Sequence, residues 1–463
     1  MGRKALYKML EHYADSTALP MHMPGHKRNI SAFPHLAALA SGLDITEIDS
    51  FDDLNSPEDI FAESEDIASK LWQSRESVFS VNGSTCAILA AIRTVTGCKA
   101  GRTVITARNC HKSVYHGLEL CACKAEYISP SLTSAGFAAS VTPESVRCAL
   151  DRAPAAAAVV LTSPTYEGVI SDIASIAAIC HERNVPLIVD EAHGAHLSLY
   201  GIFERGAVLC GADVVIQSLH KTLPSLTQTA ILHVSGSLVS PRELRRQMAI
   251  FQSSSPSYLL SASIDGCVRF LLSDEGKECL RVWRLAVENT RNRMRGMENV
   301  RLFDTEEGVF AYDVSKLVLT GDGFGIMKRL RQRKVELEMA SVSYAVAMTG
   351  AGDTEASLSR FADALSGISF GNTAHIGKGT LYLPKQKLSA AEAATAEAEE
   401  ICLADADGRI SAAYVYAYPP GVPLLVPGET VDATVIAEIQ RLTAAGASVR
   451  GTKDSRISVI KRN

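Results

Sequence analysis

The sequence predicts an α/β fold: a mostly parallel sheet wound with helices, followed by a smaller α+β C-terminal domain. Three observations predict it. From about residue 78 to 235, short apolar runs rich in β-branched residues alternate with stretches of helical periodicity. These runs are apolar throughout, as strands covered on both faces are. After about residue 270 the strict alternation is lost.

Taken in order, residues 1–77 read as an N-terminal arm and loop segment. They hold a helical start, the Pro/Gly-rich Met23-Pro24-Gly25-His26, and an acidic stretch from Asp49 to Asp59 that reads as irregular loop. The predicted strands of the alternating block are Arg102–Ala107, Ala157–Thr162, Pro186–Asp190 and Asp213–Ser218. Helices are expected over Ser84–Thr96, which opens on a serine able to cap it, and over Ser171–Arg183, with apolar residues at 173, 176, 177 and 180. The large domain is expected to span residues 78–310 and the smaller one residues 311–463. In the latter, Lys385–Glu400, rich in Ala and Glu, reads as a helix ahead of the loop Tyr418-Pro419-Pro420-Gly421-Val422-Pro423.

With 463 residues, the chain exceeds what one hydrophobic core usually supports. A hydrophobic share of 47% and a charged share of 21% are those of an ordinary globular protein. The net charge of −5 comes with scattered Lys and Arg residues, which argues against a nucleic-acid or anionic-membrane surface and leaves small-molecule chemistry. The 11 cysteines are an odd number with no Cys-x-x-Cys pair, and the start Met1-Gly2-Arg3-Lys4-Ala5 runs into polar residues, so a reducing cytoplasm is expected. The longest apolar stretch, Ala155 to Leu161, is far short of the ~20 residues that span a bilayer.

The sharpest local feature is Val189-Asp190-Glu191-Ala192-His193-Gly194, an acid at the end of an apolar strand. Ligand sites of open α/β sheets lie at the carboxyl ends of strands. A nucleotide-driven helicase with this Asp-Glu-Ala-His spelling would need a phosphate-binding Gly-x-x-x-x-Gly-Lys-Ser/Thr loop, and Gly377-Lys378-Gly379 has neither the spacing nor the hydroxyl. The next apolar strand instead leads into Ser218-Leu219-His220-Lys221-Thr222, presenting a lysine beside the acid. An isolated lysine is normally a solvated surface group. Paired with Asp190, it suits pyridoxal 5'-phosphate (PLP): the lysine amine forms a Schiff base, and a carboxylate keeps the pyridine nitrogen protonated so that the ring accepts electrons.

The phosphate of such a cofactor needs amides and hydroxyls. Val81-Asn82-Gly83-Ser84-Thr85 supplies a glycine turn opening into a helix, whose N-terminus attracts anions, although the same pattern also serves as a plain helix cap. Ser218 offers a further hydroxyl. His111, in Arg108-Asn109-Cys110-His111-Lys112-Ser113, follows a predicted strand and could stack on the ring, and the turn Ser163-Pro164-Thr165-Tyr166 would line the same face of the sheet.

These segments, together with His22-Met23-Pro24-Gly25-His26-Lys27 and Tyr418-Pro419-Pro420-Gly421, closely resemble the Orn/Lys/Arg decarboxylase family of aminotransferase-like PLP enzymes, in the same order along nearly the whole chain. The resemblance implies a Lys221 internal aldimine, Asp190 on the pyridinium nitrogen, and His111 and Ala192 on opposite ring faces. It further implies Gly83, Ser84, Thr85 and Ser218 around the phosphate, His220 beside the lysine, and His193 near the ring oxygen and substrate. A homodimer is implied too, with Ser253, Ser254 and Ser255 reaching the neighbouring subunit's phosphate. The Pro-Gly-His motif lies within the first 30 residues, so the likeness is to the short form without an N-terminal wing domain.

The expected reaction is α-decarboxylation of arginine, lysine or ornithine. A basic side chain calls for a carboxylate at the far end of the pocket, and the acidic stretch Glu47, Asp49, Asp52, Asp53 is a possible source. An aminotransferase or C–S lyase would share every cofactor residue. An arginine such as Arg360 or Arg409 holding the α-carboxylate would favour transamination, because decarboxylation must leave that group free to depart. A PLP-binding protein without turnover is disfavoured by the complete Lys/Asp/His set.

Overall fold

The computed structural model describes residues 17–22, 25–27, 29–37, 45, 51–370, 379–418 and 421–462. Its central sheet has seven strands, β1 (Glu76–Ser80), β2 (Thr103–Ala107), β3 (Lys124–Ile128), β4 (Ala158–Thr162), β5 (Leu187–Asp190), β6 (Val214–Gln217) and β7 (Ala230–Val234). Their spatial order is β1-β7-β6-β5-β4-β2-β3. β7 runs antiparallel to both of its neighbours, and all other adjacent pairs are parallel.

Burial explains why these strands are apolar at successive positions. Val78 belongs to one hydrophobic cluster and Phe79 to another, and Leu232 and Ile231 divide in the same way. The first cluster takes in the helices Gly83–Thr96, Pro143–Arg152 and Ile173–Glu182; the second takes in Trp72, Ile264 and Trp283 from the helices Ile60–Trp72, Tyr258–Leu272 and Asp274–Arg295. The sheet is therefore covered by helices on both faces, as its sequence pattern requires.

A second, antiparallel sheet follows, with β8 (Lys316–Thr320), β9 (Met339–Ala340) and β10 (Tyr344–Met348) in the order β8-β10-β9. Leu317, Leu319 and Ala345 pack into the same cluster as Trp283. The arm enters here, because Leu19–Met21 pairs in parallel with Val335–Leu337. A separate cluster including Leu403, Val415, Leu425, Ile439 and Val459 forms around the helix Ala433–Ala444. The buried pair Arg108–Glu429, at 2.9 Å, ties it to the loop after β2.

Three expectations need correction. The helix over Lys385–Glu400 is confined to Ala390–Thr395, because Ala398–Cys402 pairs antiparallel with Arg456–Ile460 and this long-range pairing overrides the helical preference of Ala and Glu. Ser84 lies inside its helix, whose cap residue is Asn82 with no side-chain capping bond. Within the segment read as arm and loop, Ile60–Trp72 is a helix. All 11 cysteines are free thiols, and among the described residues no helix is long and apolar enough to cross a membrane.

Gly25 shows why the arm carries its Pro-Gly-His motif. Its amide donates to the His220 carbonyl at 2.7 Å, and a Cβ there would lie 2.4 Å from the Thr222 carbonyl carbon, so backbone meets backbone. Gly25→Ala is expected to destabilise the protein by about 1–3 kcal/mol. The loss would be read as a lower urea midpoint, and an unchanged midpoint would show that the arm does not pack there.

Candidate active site

A cavity of about 520 Å³ opens at the carboxyl ends of the strands. Asp190 ends β5, and its register partner on the adjacent strand β6 is Ile216, so the turn after β6 begins beside it. That turn becomes the short helix Leu219–Thr222, which carries Lys221. The turn after β1 leads to Gly83–Thr85, and His111 follows β2 and caps the helix Lys112–Leu120 with its own ring. The structure brings Gly83, Ser84, Thr85, His111, Asp190, Ala192, His193, Ser218, His220 and Lys221 together on the cavity wall.

Lys221 Nζ stands 2.9 Å from His193 Nε2. Burial lowers the amine's pKa to about 8, against the opposing pull of Asp190 and Glu338. His193 is held well below the usual imidazole range, by burial first and by the Lys221 charge second, so its ring is neutral and can accept a hydrogen bond from Nζ. Its ring packs against Tyr166 at 4.5 Å between centroids. Burial takes His111 down to about 3, with Lys221 adding to the effect. The His111 Nδ1 accepts the Ser113 amide at 3.3 Å, which leaves Nε2 as the protonated nitrogen. His220 Nδ1 donates to the Thr229 carbonyl at 2.9 Å.

Asp190 is 3% exposed and accepts the Ala192 amide at 3.2 Å. Burial raises its pKa, while the nearby Lys221 charge opposes the rise. Such a carboxylate suits a cationic partner. Several buried polar atoms on the same wall have no hydrogen-bond partner among the described residues: Ser218 Oγ, His193 Nδ1, Asn109 Oδ1 and Thr162 Oγ1. A buried polar group left unpaired is costly, so these atoms fit a polar ligand. The uncapped helix start at Gly83–Thr85 has amides for a phosphate. The donor set thus fits a phosphorylated pyridine held by a lysine.

The acidic residues proposed from sequence lie elsewhere. Glu47 and Asp49 fall outside the described residues. Asp52 spends its carboxylate on the amides of Asp53, Glu58, Asp59 and Phe61, anchoring the start of helix Ile60–Trp72, and Asp53 accepts the Asn55 amide. Neither lines the cavity. Ser253, Ser254 and Ser255 are exposed, and the Ser253 amide donates to Asn82 of the same chain at 3.3 Å, beside the glycine turn. Arg360 binds the Thr17 carbonyl and Arg409 binds Glu399; both lie off the cavity.

Two carboxylates that the sequence did not single out do line it. Glu338 accepts the Tyr166 hydroxyl, and Glu167 accepts the Tyr344 hydroxyl at 2.7 Å. Burial raises the Glu167 pKa. Glu167 directly follows the Thr165-Tyr166 turn and was findable from that strand end. Glu338, the residue before β9, and Tyr344, the first of β10, lie far along the chain, with no local signal. Tyr418 and Val422 close the cavity from the C-terminal region.

A model of the Orn/Lys/Arg decarboxylase major domain matches residues 4–314, and one of the Orn/Lys/Arg decarboxylase C-terminal domain matches residues 380–451. An arginine decarboxylase of Bacillus subtilis (strain 168) is 30% identical, covering 98% of this chain and 97% of its own length. The crystal structure of the Francisella novicida lysine decarboxylase LdcF superposes with a TM-score of 0.75 at 17% identity, covering 98% of this chain and 83% of that one. A structure of SPT with PLP superposes at 0.58 and 15% identity, covering 75% and 86%. At these identities the structures share the aminotransferase-like fold. The two domain matches and the full-length relative agree with the lysine and carboxylate found at adjacent strand ends: the chain belongs to the Orn/Lys/Arg decarboxylase family and is an amino-acid decarboxylase.

Proposed function

We propose that the cavity holds PLP on Lys221 and that the chain removes the α-carboxylate of a basic amino acid, arginine, lysine or ornithine, giving the amine and CO2. Gly83, Ser84, Thr85 and Ser218 would hold the phosphate, Asp190 the pyridine nitrogen, and His111 and Ala192 the two ring faces. When bound, the cofactor supplies the sink for the electron pair of the Cα–carboxylate bond. The chain supplies the rest. Lys221 Nζ offers a free amine near pH 8, and His193 Nε2, 2.9 Å away, exchanges a proton with it. This pair is placed to deliver the proton that replaces CO2. The apolar wall of Leu132, Phe137, Ala138 and Leu381 limits water.

The observation that carries decarboxylation over transamination is the charge of the wall. Among the described residues it has two glutamates, Glu167 and Glu338, and no arginine to hold the α-carboxylate. The same glutamates would receive a distal guanidinium or ammonium group. We further propose a homodimer in which the exposed Ser253–Ser255 segment, beside the phosphate turn, meets the partner. Free thiols throughout suit a reducing compartment, and we place the protein in the cytoplasm.

Purified protein with PLP is expected to convert at least one of arginine, lysine and ornithine to amine and CO2. If all three stay unchanged while a keto acid forms from another amino acid, the assignment is wrong. Lys221→Ala is expected to abolish the visible absorbance of lysine-bound cofactor. Glu338→Gln should raise KM for the basic substrate about tenfold to a hundredfold, the worth of a charged hydrogen bond; an unchanged KM would place the distal group elsewhere.

The rate of PLP attachment should rise with pH through about 8, because only the unprotonated Lys221 amine attacks. The Asp190 carboxylate favours the ammonium form, so Asp190→Asn should move the midpoint to lower pH. Stopped-flow reconstitution across pH 6–10 measures both, and a midpoint moving upward contradicts the electrostatic account.

A further inference from the structure

We infer that Lys316 is a positioning residue for the reaction: its buried ion pair with Asp313 fixes His193 from one side and the Lys221 helix from the other. The inference rests on Lys221 and His193 being the reacting pair. Lys316 opens β8, and neither its side chain nor that of Asp313 has any exposure. Its ammonium donates to Asp313 Oδ2 at 2.9 Å, to Ser315 Oγ at 3.2 Å and to the main-chain carbonyl of His193 at 3.3 Å.

The other carboxylate oxygen of Asp313 accepts His196 Nε2 at 3.2 Å and the Ser315 amide at 3.0 Å. With Nε2 protonated, His196 Nδ1 accepts the Thr222 hydroxyl at 3.3 Å. Thr222 is the residue after Lys221. A continuous path thus runs from the carbonyl of His193, through Lys316, Asp313 and His196, to the helix that carries the reactive amine. Both ends of the His193–Lys221 contact are held by one buried pair.

The surroundings reserve space for it. Gly168 has φ +106, and a Cβ there would lie 2.9 Å from Lys316 Cγ. Arg291 donates to the Lys316 carbonyl at 3.1 Å, and Trp283 to the Thr349 hydroxyl that in turn binds the Ser315 carbonyl. As a device for stability alone this arrangement is poor, because desolvation offsets most of the attraction in a buried ion pair and packed apolar residues do as well. Its use is in orientation. The Lys316 charge also helps keep His193 and Lys221 unprotonated.

The test is a double-mutant cycle on the full chain with PLP. Lys316→Met combined with Asp313→Asn removes both charges together, so that neither stays buried alone. With cofactor absorbance retained and KM unchanged, kcat is expected to fall about 100-fold, as for a misplacement of about 1 Å. In a His193→Asn background the same pair of changes should lower kcat by less than about twofold, since the His193–Lys221 contact whose two ends it aligns is gone. Equal losses in both backgrounds, or no loss, would overturn the inference and leave a structural pair. Should the charge-free variant not fold, Thr222→Val carries the same cycle. A loss in kcat that vanishes with His193→Asn supports the path, and an unchanged kcat overturns it. A Lys221→Ala variant that keeps its absorbance would sink the underlying assignment, whereas additive losses would sink only the network.

Discussion

The parallel register between β5 and β6 is the constraint on which the site depends. It sets Asp190 opposite Ile216, so the strand carrying the acid and the turn carrying the lysine end at one level. Three residues of apolar strand precede Asp190, and all four strand positions are buried. A rigid, dry sheet end is what makes the pair useful: burial lowers the Lys221 pKa and raises that of Asp190, and each charge opposes the shift of the other. A one-residue slip would turn Asp190 to the opposite face and separate the two groups.

Among the described residues, buried ion pairs then brace the chain around that point. Lys27–Asp353 at 3.9 Å secures the arm, Arg108–Glu429 secures the C-terminal region, and Lys316–Asp313 underlies the loop after β5. The Lys27 ammonium also donates to the His22 and Met348 carbonyls. Each pair is shielded from water and supported by further hydrogen bonds, so that neither charge is left buried alone. They differ from the many exposed pairs, such as Lys70–Asp66, which contribute little.

What was legible in the sequence was what is local. Asp190, Ala192 and His193 share one strand end, Ser218, His220 and Lys221 the next, and Gly83–Thr85 a third, so residue type and position along a strand were enough to collect them. Strand ends came out within a residue, as Arg102–Ala107 became Thr103–Ala107, because fully buried strands carry an unbroken apolar signal. Glu338 and Tyr344 were illegible, since only the bend before β9, bonded through the Glu338 amide to Val346, and the fold of β10 bring them to the cavity. The acidic stretch around Asp52 misdirected attention, because a carboxylate that binds backbone amides looks in sequence like one awaiting a ligand.

The two wall glutamates complete the electrostatic logic. Each is satisfied by a phenol, Glu338 by Tyr166 and Glu167 by Tyr344, so neither is left buried without a partner before substrate arrives. Tyr166 also packs on the His193 ring, which touches Lys221, so the wall that would sense a distal cation is continuous with the groups proposed to move the proton. Burial favours the protonated form of Glu167, and an approaching cation favours the ionised form. A neutral side chain in the same place would gain no such compensation. The proposed preference for a basic substrate thus rests on the same desolvation that lowers the Lys221 pKa.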